Sequence, residues 1–190
     1  MTANAPDPSS VEGAFVAVYG PAAGRHGVPA AADGKRPDTA DPVLGVDAYR
    51  GEDLWHLVTV GLAGVRPGED GTGAPLGHEL TVLTPAAERP PAWAFALLLG
   101  TARTSLAVGR PFHAGARLAP GPPLDGGESG IVALGLREDP VVHVDSGPLL
   151  LQAVGVTTGE YLLMQRVGTT TVLDRLAQRD PLLRTDPARA

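Results

Sequence analysis

The sequence predicts an α+β domain in which a mixed, mainly antiparallel sheet packs against a long central helix, with two further helices at the C-terminal end. Three observations carry this prediction. A long stretch in the middle of the chain has helical periodicity, short β-type segments lie on both sides of it, and two helical patterns follow the last of them. Strands and helices that do not alternate regularly along a chain are typical of α+β proteins.

The central helix is predicted over residues 90–109. Pro91 suits a first helical position, because its missing N–H would have no helical partner there, and Gly109 supplies a left-handed stop. Trp93 and Leu97 lie outside the main apolar face, so this end of the helix is apolar nearly all round and packs on more than one side. The main face consists of residues at helical spacing, which are Phe95, Leu98, Leu99, Ala102 and Leu106.

Six segments are predicted as strands from alternation and from bounding turn residues. In the second of them Leu54, His56 and Val58 share one face, and the residues between them are also largely apolar, which marks a central strand covered on both sides. The six segments are 43–49, 53–62, 77–84, 131–136, 141–144 and 149–154.

Three further helices are predicted from their capping residues. Ser9 or Ser10 caps a short helix that ends before Gly20. Thr157 and Glu160 form a capping box, which opens a helix running to Arg166. The last helix covers residues 171–179 and stops before a proline.

The domain organisation is predicted to be simple. Residues 1–8 are polar and proline-containing and read as a flexible N-terminal tail. Residues 9–190 form a single domain, interrupted at 22–41 by an Ala/Gly/Pro-rich insertion with few side chains able to repay the entropy of ordering. We therefore expect this insertion to be flexible.

Composition and charge narrow the function classes. The chain has no cysteine and a net charge of −6, and 17 of its 21 acidic residues fall within residues 1–150. Such an acidic body argues against nucleic acid, which needs a dense basic surface, and favours a protein partner with a basic surface. No apolar run is long enough to cross a membrane and no secretory signal is evident, so we expect a cytoplasmic protein without a membrane partner.

Candidate catalytic groups are few. His143 and Asp145 share one face of a predicted strand, which would suit a metal site or an acid/base pair, but no third ligand accompanies them. His56 lies on an apolar strand face, where a hydrogen-bonded interior histidine is the more common interpretation. A small metal-dependent or His/Asp hydrolase, or a structural subunit of a larger assembly, remain as alternatives to a binding protein.

The partner-binding residues are predicted to be Trp93, Leu97, Asp139 and Asp145. Trp93 lies on the flank of the central helix, where an aromatic side chain can anchor a partner, and Leu97 is one turn further along. Asp139 and Asp145 lie in turn sequences and would meet a basic surface. No cofactor or metal ligand set is predicted.

Several stretches, in this order and spacing, resemble the Suppressor of fused domain family. They are DLWHLVTVGL at 53–62, HELTV at 78–82, PPAWA at 90–94, FHAG at 112–115, LLLQAVG at 149–155 and DPLL at 180–183. Ala116 departs from the family pattern, and the insertion at 22–41 lies outside the resemblance. The resemblance, to stand-alone bacterial members of the family, implies an α+β domain that binds proteins without catalysis, and a role as an immunity protein that neutralises a toxin.

Overall fold

The computed structural model describes residues 10–27, 45–67, 71, 73–119 and 121–189. These residues contain seven strands and four helices, and the predicted α+β fold with a mixed sheet is confirmed. The strands are β1 (Gly24–Gly27), β2 (Gly45–Arg50), β3 (Leu54–Val60), β4 (His78–Pro85), β5 (Arg117–Leu118), β6 (Ile131–Glu138) and β7 (Leu149–Thr157). The helices are α1 (Val11–Tyr19), α2 (Ala92–Val108), α3 (Thr158–Val167) and α4 (Thr169–Ala177).

The sheet has the strand order β1-β2-β3-β4-β7-β6-β5. Every neighbouring pair is antiparallel except β4 and β7, which run parallel. The parallel pair lies in the middle of the sheet, where strands are covered on both faces, and parallel strands need such cover. The chain reaches β7 from β4 by way of α2, β5 and β6.

Helix α2 covers one face of the sheet. Leu98 and Ala102 are fully buried there against Trp55, Leu57 and other residues of β2, β3 and β4. Pro91 was predicted at the first helical position, but it is the N-cap, with extended backbone angles, and the helix begins one residue later at Ala92. Gly109 has the predicted left-handed conformation, with φ 68° and ψ 20°. The predicted central packing helix is therefore present.

The other three helices cover the opposite face. Phe15 of α1 packs against Tyr49 and Val58, and α3 and α4 pack against β6 and β7. Ser10 caps α1 by accepting a hydrogen bond from the Gly13 N–H at 3.0 Å. The capping box predicted at the start of α3 is also present. None of the described helices combines the length and apolar composition that crossing a bilayer requires.

The strand predicted at residues 141–144 is wrong. This segment is an irregular connection that leads into β7. The Asp139 carboxylate accepts hydrogen bonds from the N–H groups of Val141 and Val142, both at 2.9 Å. A side chain thus satisfies donors that a neighbouring strand would otherwise satisfy, and the local turn forms in place of a strand.

Two edge strands were not predicted. β1 lies within the insertion predicted at 22–41, and it pairs with β2 through backbone groups that place no demand on side-chain pattern. β5 has only two residues and pairs with β6. The remainder of that insertion, residues 28–41, and the predicted tail at 1–8 lie outside the described residues.

The C-terminal segment, residues 180–189, fills a split in the sheet between β4 and β7. The register of the parallel pair ends at Thr81 on β4. Beyond that point the Leu83 carbonyl accepts a hydrogen bond from the Thr185 N–H at 2.7 Å. On the other side the Gly155 N–H of β7 donates to the Thr185 hydroxyl at 2.9 Å. The segment therefore supplies partners for backbone groups that the diverging strands cannot offer each other.

Candidate partner-binding surface

The four predicted contact residues do not form one cluster. Trp93 and Leu97 are half-buried on α2, one turn apart, and both pack against the core beneath the helix. Asp145 is exposed in the connection before β7. Asp139 is only 1% exposed, so its carboxylate is not available to a partner on this surface, and its placement in the interior corrects the prediction.

Asp139 belongs to a buried polar network with His56. Its Oδ2 atom lies 2.8 Å from His56 Nε2, and both side chains are 0% exposed. The Thr81 hydroxyl donates to the same carboxylate, and the Tyr19 hydroxyl of α1 lies 3.0 Å from His56 Nδ1. This confirms the prediction that His56 is a hydrogen-bonded interior residue. The network joins α1, β3, β4 and the connection after β6, and the His56 and Asp139 side chains are both shielded from solvent.

The electrostatics of this network favour an ionised Asp139. Burial by itself raises the pKa of the Asp139 carboxyl. The hydrogen bond from His56 and the charge of that ring, followed by hydrogen bonds from Thr81 and Val142, lower it by more, so the pKa lies below its ordinary value. Burial raises the pKa of the Tyr19 hydroxyl, with a further contribution from Asp139, so this hydroxyl stays protonated.

We expect the stabilisation from Asp139 to depend on pH. The pKa of Asp139 is lower in the folded chain than in the unfolded chain. The stabilisation is therefore complete above the pKa of the unfolded chain, roughly 3.9, and is lost as the pH falls through the pKa of the folded chain. The difference in unfolding free energy between the unmodified protein and Asp139→Asn should therefore shrink below about pH 4. Urea denaturation at a series of pH values measures it, and a difference that is constant into acid would contradict the assignment.

The other candidate catalytic pair is not assembled on a strand. His143 and Asp145 are exposed in the connection that replaces the predicted strand, so the shared strand face that made them a candidate pair does not exist. Among the described residues, no group of three or more His, Asp or Glu side chains is placed to hold a metal ion.

A second buried carboxylate, Glu79, holds the connection between β3 and β4. It accepts hydrogen bonds from the Thr59 hydroxyl at 2.6 Å and from the N–H groups of Gly61 and Ala63, both at 3.0 Å. Burial raises the pKa of Glu79, and these donors offset only part of that effect. Glu79 is 2% exposed, and its contacts are those of a residue that fixes a loop.

The exposed side of α2 forms one wall of an apolar groove, which we call the α2 groove. The opposite wall consists of residues 116–119 and 121–124 together with the neighbouring part of β6. One part of the groove has a volume of about 490 Å³, and a second part of about 440 Å³ continues it towards the end of α2. Both parts share Thr104, Leu118 and Ala119. Exposed apolar surface of this kind marks binding sites in many proteins.

Sequence reasoning found only one wall of this groove. Leu97 lines it and was predicted as a contact residue, whereas the sequence around the opposite wall is rich in Gly and Pro and shows no helix or strand pattern. A signal for the groove was present in Gly100. Glycine in the interior of a helix costs about 1 kcal/mol relative to alanine, and a Cβ added at Gly100 would meet nothing within 4 Å.

A larger cavity, of about 560 Å³, lies beside the C-terminal segment. Four of the charged side chains that line it form ion pairs. Arg189 pairs with Glu160 at 2.6 Å, and Arg184 pairs with Asp180 at 3.2 Å and with Asp53 at 2.9 Å. These pairs attach the C-terminal segment to α3 and to the start of β3, so this cavity serves the fold.

A mixed sheet covered by helices on both faces, with an open apolar groove along one helix, defines the class of this protein as an α+β domain. A family model described as Suppressor of fused protein matches residues 39–190 of the chain. The chain therefore belongs to the Suppressor of fused family, whose domains are protein-interaction domains. The family resemblance predicted from the sequence is confirmed.

Two solved structures share the fold. The crystal structure of Drosophila Suppressor of Fused matches with a TM-score of 0.73 and 20% sequence identity, over 99% of this chain and 52% of that one. A structure described as the Sufu-Fu complex matches with a TM-score of 0.66 and 22% identity, over 81% of this chain and 85% of that one. The chain thus spans about half the length of the Drosophila protein. No curated protein gives a significant match.

Proposed function

We propose that this chain acts by occupancy, binding a partner protein and masking part of its surface without turning over a substrate. Membership of the Suppressor of fused family is the observation that carries the proposal. One structural relative is described as part of a Sufu-Fu complex, so a protein partner is already associated with this fold. The sealed His56–Asp139 pair supports the same view, because a catalytic histidine needs access to its substrate.

The partner we propose is a toxin, which the chain neutralises by direct binding in the cytoplasm. The resemblance to stand-alone bacterial members of the family supports this role. The acidic body of the chain, with a net charge of −6, supports a partner whose surface is basic overall. Masking an active toxin surface requires tight contact but no chemistry, which agrees with a protein-interaction domain.

The test is co-expression of this chain with the products of the neighbouring genes, followed by isolation of any complex. With the purified partner, the association rate constant should fall as the salt concentration rises, because screening weakens the attraction between the two surfaces. Asp145→Lys should slow association further, whereas Asp174→Lys on α4, where no acidic excess exists, serves as the matched control.

Two outcomes would overturn parts of this proposal. An association rate that does not respond to salt removes the basic partner surface but leaves the binding function. Turnover of a small substrate by the purified chain, lost in His143→Ala, removes the binding function itself in favour of a hydrolase.

A further inference from the structure

We propose that the α2 groove binds an extended segment of the partner that carries apolar side chains with carboxylates at one end. This proposal rests on the proposed protein-binding function and adds the site and the chemistry of the segment. The groove is the observation from which it starts, because its two parts run together along α2 from Ala96 to Val108. A helical run of this length is roughly 18 Å at 1.5 Å per residue, which accommodates about five or six extended residues.

The α2 wall of the groove is suited to close approach. Gly100 is exposed at its centre, and a Cβ there would project into open space. The side chains around it are mainly apolar or small, and Val108 at the far end is 46% exposed. Apolar side chains of a bound segment can therefore reach the backbone of α2 and lose their contact with water, which is the main source of affinity in such a site.

The charge at one end of the groove selects the chemistry of the segment. Arg110 and Arg117 line the part of the groove beside Phe112. Both arginines are exposed, and neither forms an ion pair within the described part of the chain. Guanidinium groups beside an apolar surface bind carboxylates well, because they are weakly hydrated and offer several donors.

The described residues that line the other part of the groove are all uncharged. Leu124 lines it and is followed by Asp125, and Glu128 is exposed in the same loop. A segment with its carboxylates at the Arg110 and Arg117 end is therefore favoured over the reversed arrangement. The two arginines at one end of the groove thus contrast with the negative net charge of the whole protein. A partner that is basic overall would insert a locally acidic and apolar segment here.

The experiment uses the intact chain and a phage-displayed library of random linear peptides as the probe. We expect the selected peptides to contain a run of apolar residues with Asp or Glu at one end of it. Gly100→Leu covers the α2 wall with the side chain of a better helix former. It should therefore raise the melting temperature and weaken the binding of these peptides by about tenfold or more. Gln165→Leu, on the surface of α3, is the matched control and should leave peptide binding unchanged.

A second pair of variants tests the charge. Arg117→Glu should weaken the binding of the selected peptides by about tenfold, and this loss of affinity should diminish at high salt. Arg166→Glu on α3 is its control. Peptides that bind Gly100→Leu as well as the unmodified chain, basic selected peptides, or a library without binders would each overturn the groove proposal. None of these outcomes bears on whether a whole protein partner is bound, which the co-expression experiment decides separately.

Discussion

Asp139→Ala is expected to lower the free energy of unfolding by about 3–5 kcal/mol. Its carboxylate is 1% exposed and accepts hydrogen bonds from His56, Thr81 and the backbone N–H groups of Val141 and Val142. Alanine removes the acceptor and leaves these buried donors without partners. Each buried donor that cannot form a hydrogen bond, either with the protein or with water, destabilises the folded state. Urea denaturation at neutral pH measures the change.

Asp145→Ala is the matched control for this substitution. Asp145 is exposed, six positions further along the same connection. A surface substitution of this kind usually changes stability by less than about 0.5 kcal/mol. An equally small effect of Asp139→Ala would show that the carboxylate does not hold the network together.

A chain that ends at Arg179 is expected to lose cooperative folding. It lacks the residues that fill the split between β4 and β7, so the Leu83 carbonyl loses the donor Thr185 N–H and the Gly155 N–H loses its acceptor, the Thr185 hydroxyl. Leu183, which is 4% exposed in the cluster beneath α3 and α4, is lost as well. Together these losses approach the roughly 5–15 kcal/mol of total stability that a domain possesses. Near-ultraviolet circular dichroism during heating detects the loss of a sharp transition.

Two companion experiments make this prediction decisive. A synthetic peptide covering residues 180–189, added to the truncated chain, should restore a cooperative transition. Thr185→Val in the intact chain keeps the shape but removes the acceptor for Gly155, and should cost about 1–3 kcal/mol. A truncated chain that melts as sharply as the intact one would mean that the split in the sheet needs no filling.

Most of the architecture could be predicted from the sequence because its signals are local. The apolar positions of α2 recur at helical spacing, and Gly109 takes the left-handed conformation that its position suggested. Ser10 and Thr157 cap their helices through contacts with residues three positions away. Where residues near in sequence determine a structure, periodicity and capping chemistry are sufficient to find it.

The features that the sequence did not reveal depend on distant partners. His56 and Asp139 are separated by 83 positions, and nothing near Asp139 indicates that a buried imidazole faces it. A turn sequence with Asp and Pro is typical of an exposed loop, so the sequence predicts that the Asp139 carboxylate contacts a partner. The α2 groove likewise forms only when α2 and residues 116–119 and 121–124 come together. Tertiary placement, and not local pattern, decides such sites.

The filled split between β4 and β7 has a consequence for how the protein is made. The first four strands leave the ribosome about 100 residues before Thr185, whose N–H donates a hydrogen bond to the Leu83 carbonyl of β4. During that interval β4 is an edge strand with unpaired backbone groups, to which a strand from another chain could bind. Synthesis therefore passes through a stage in which this domain is vulnerable to aggregation, and it ends when residues 180–189 emerge.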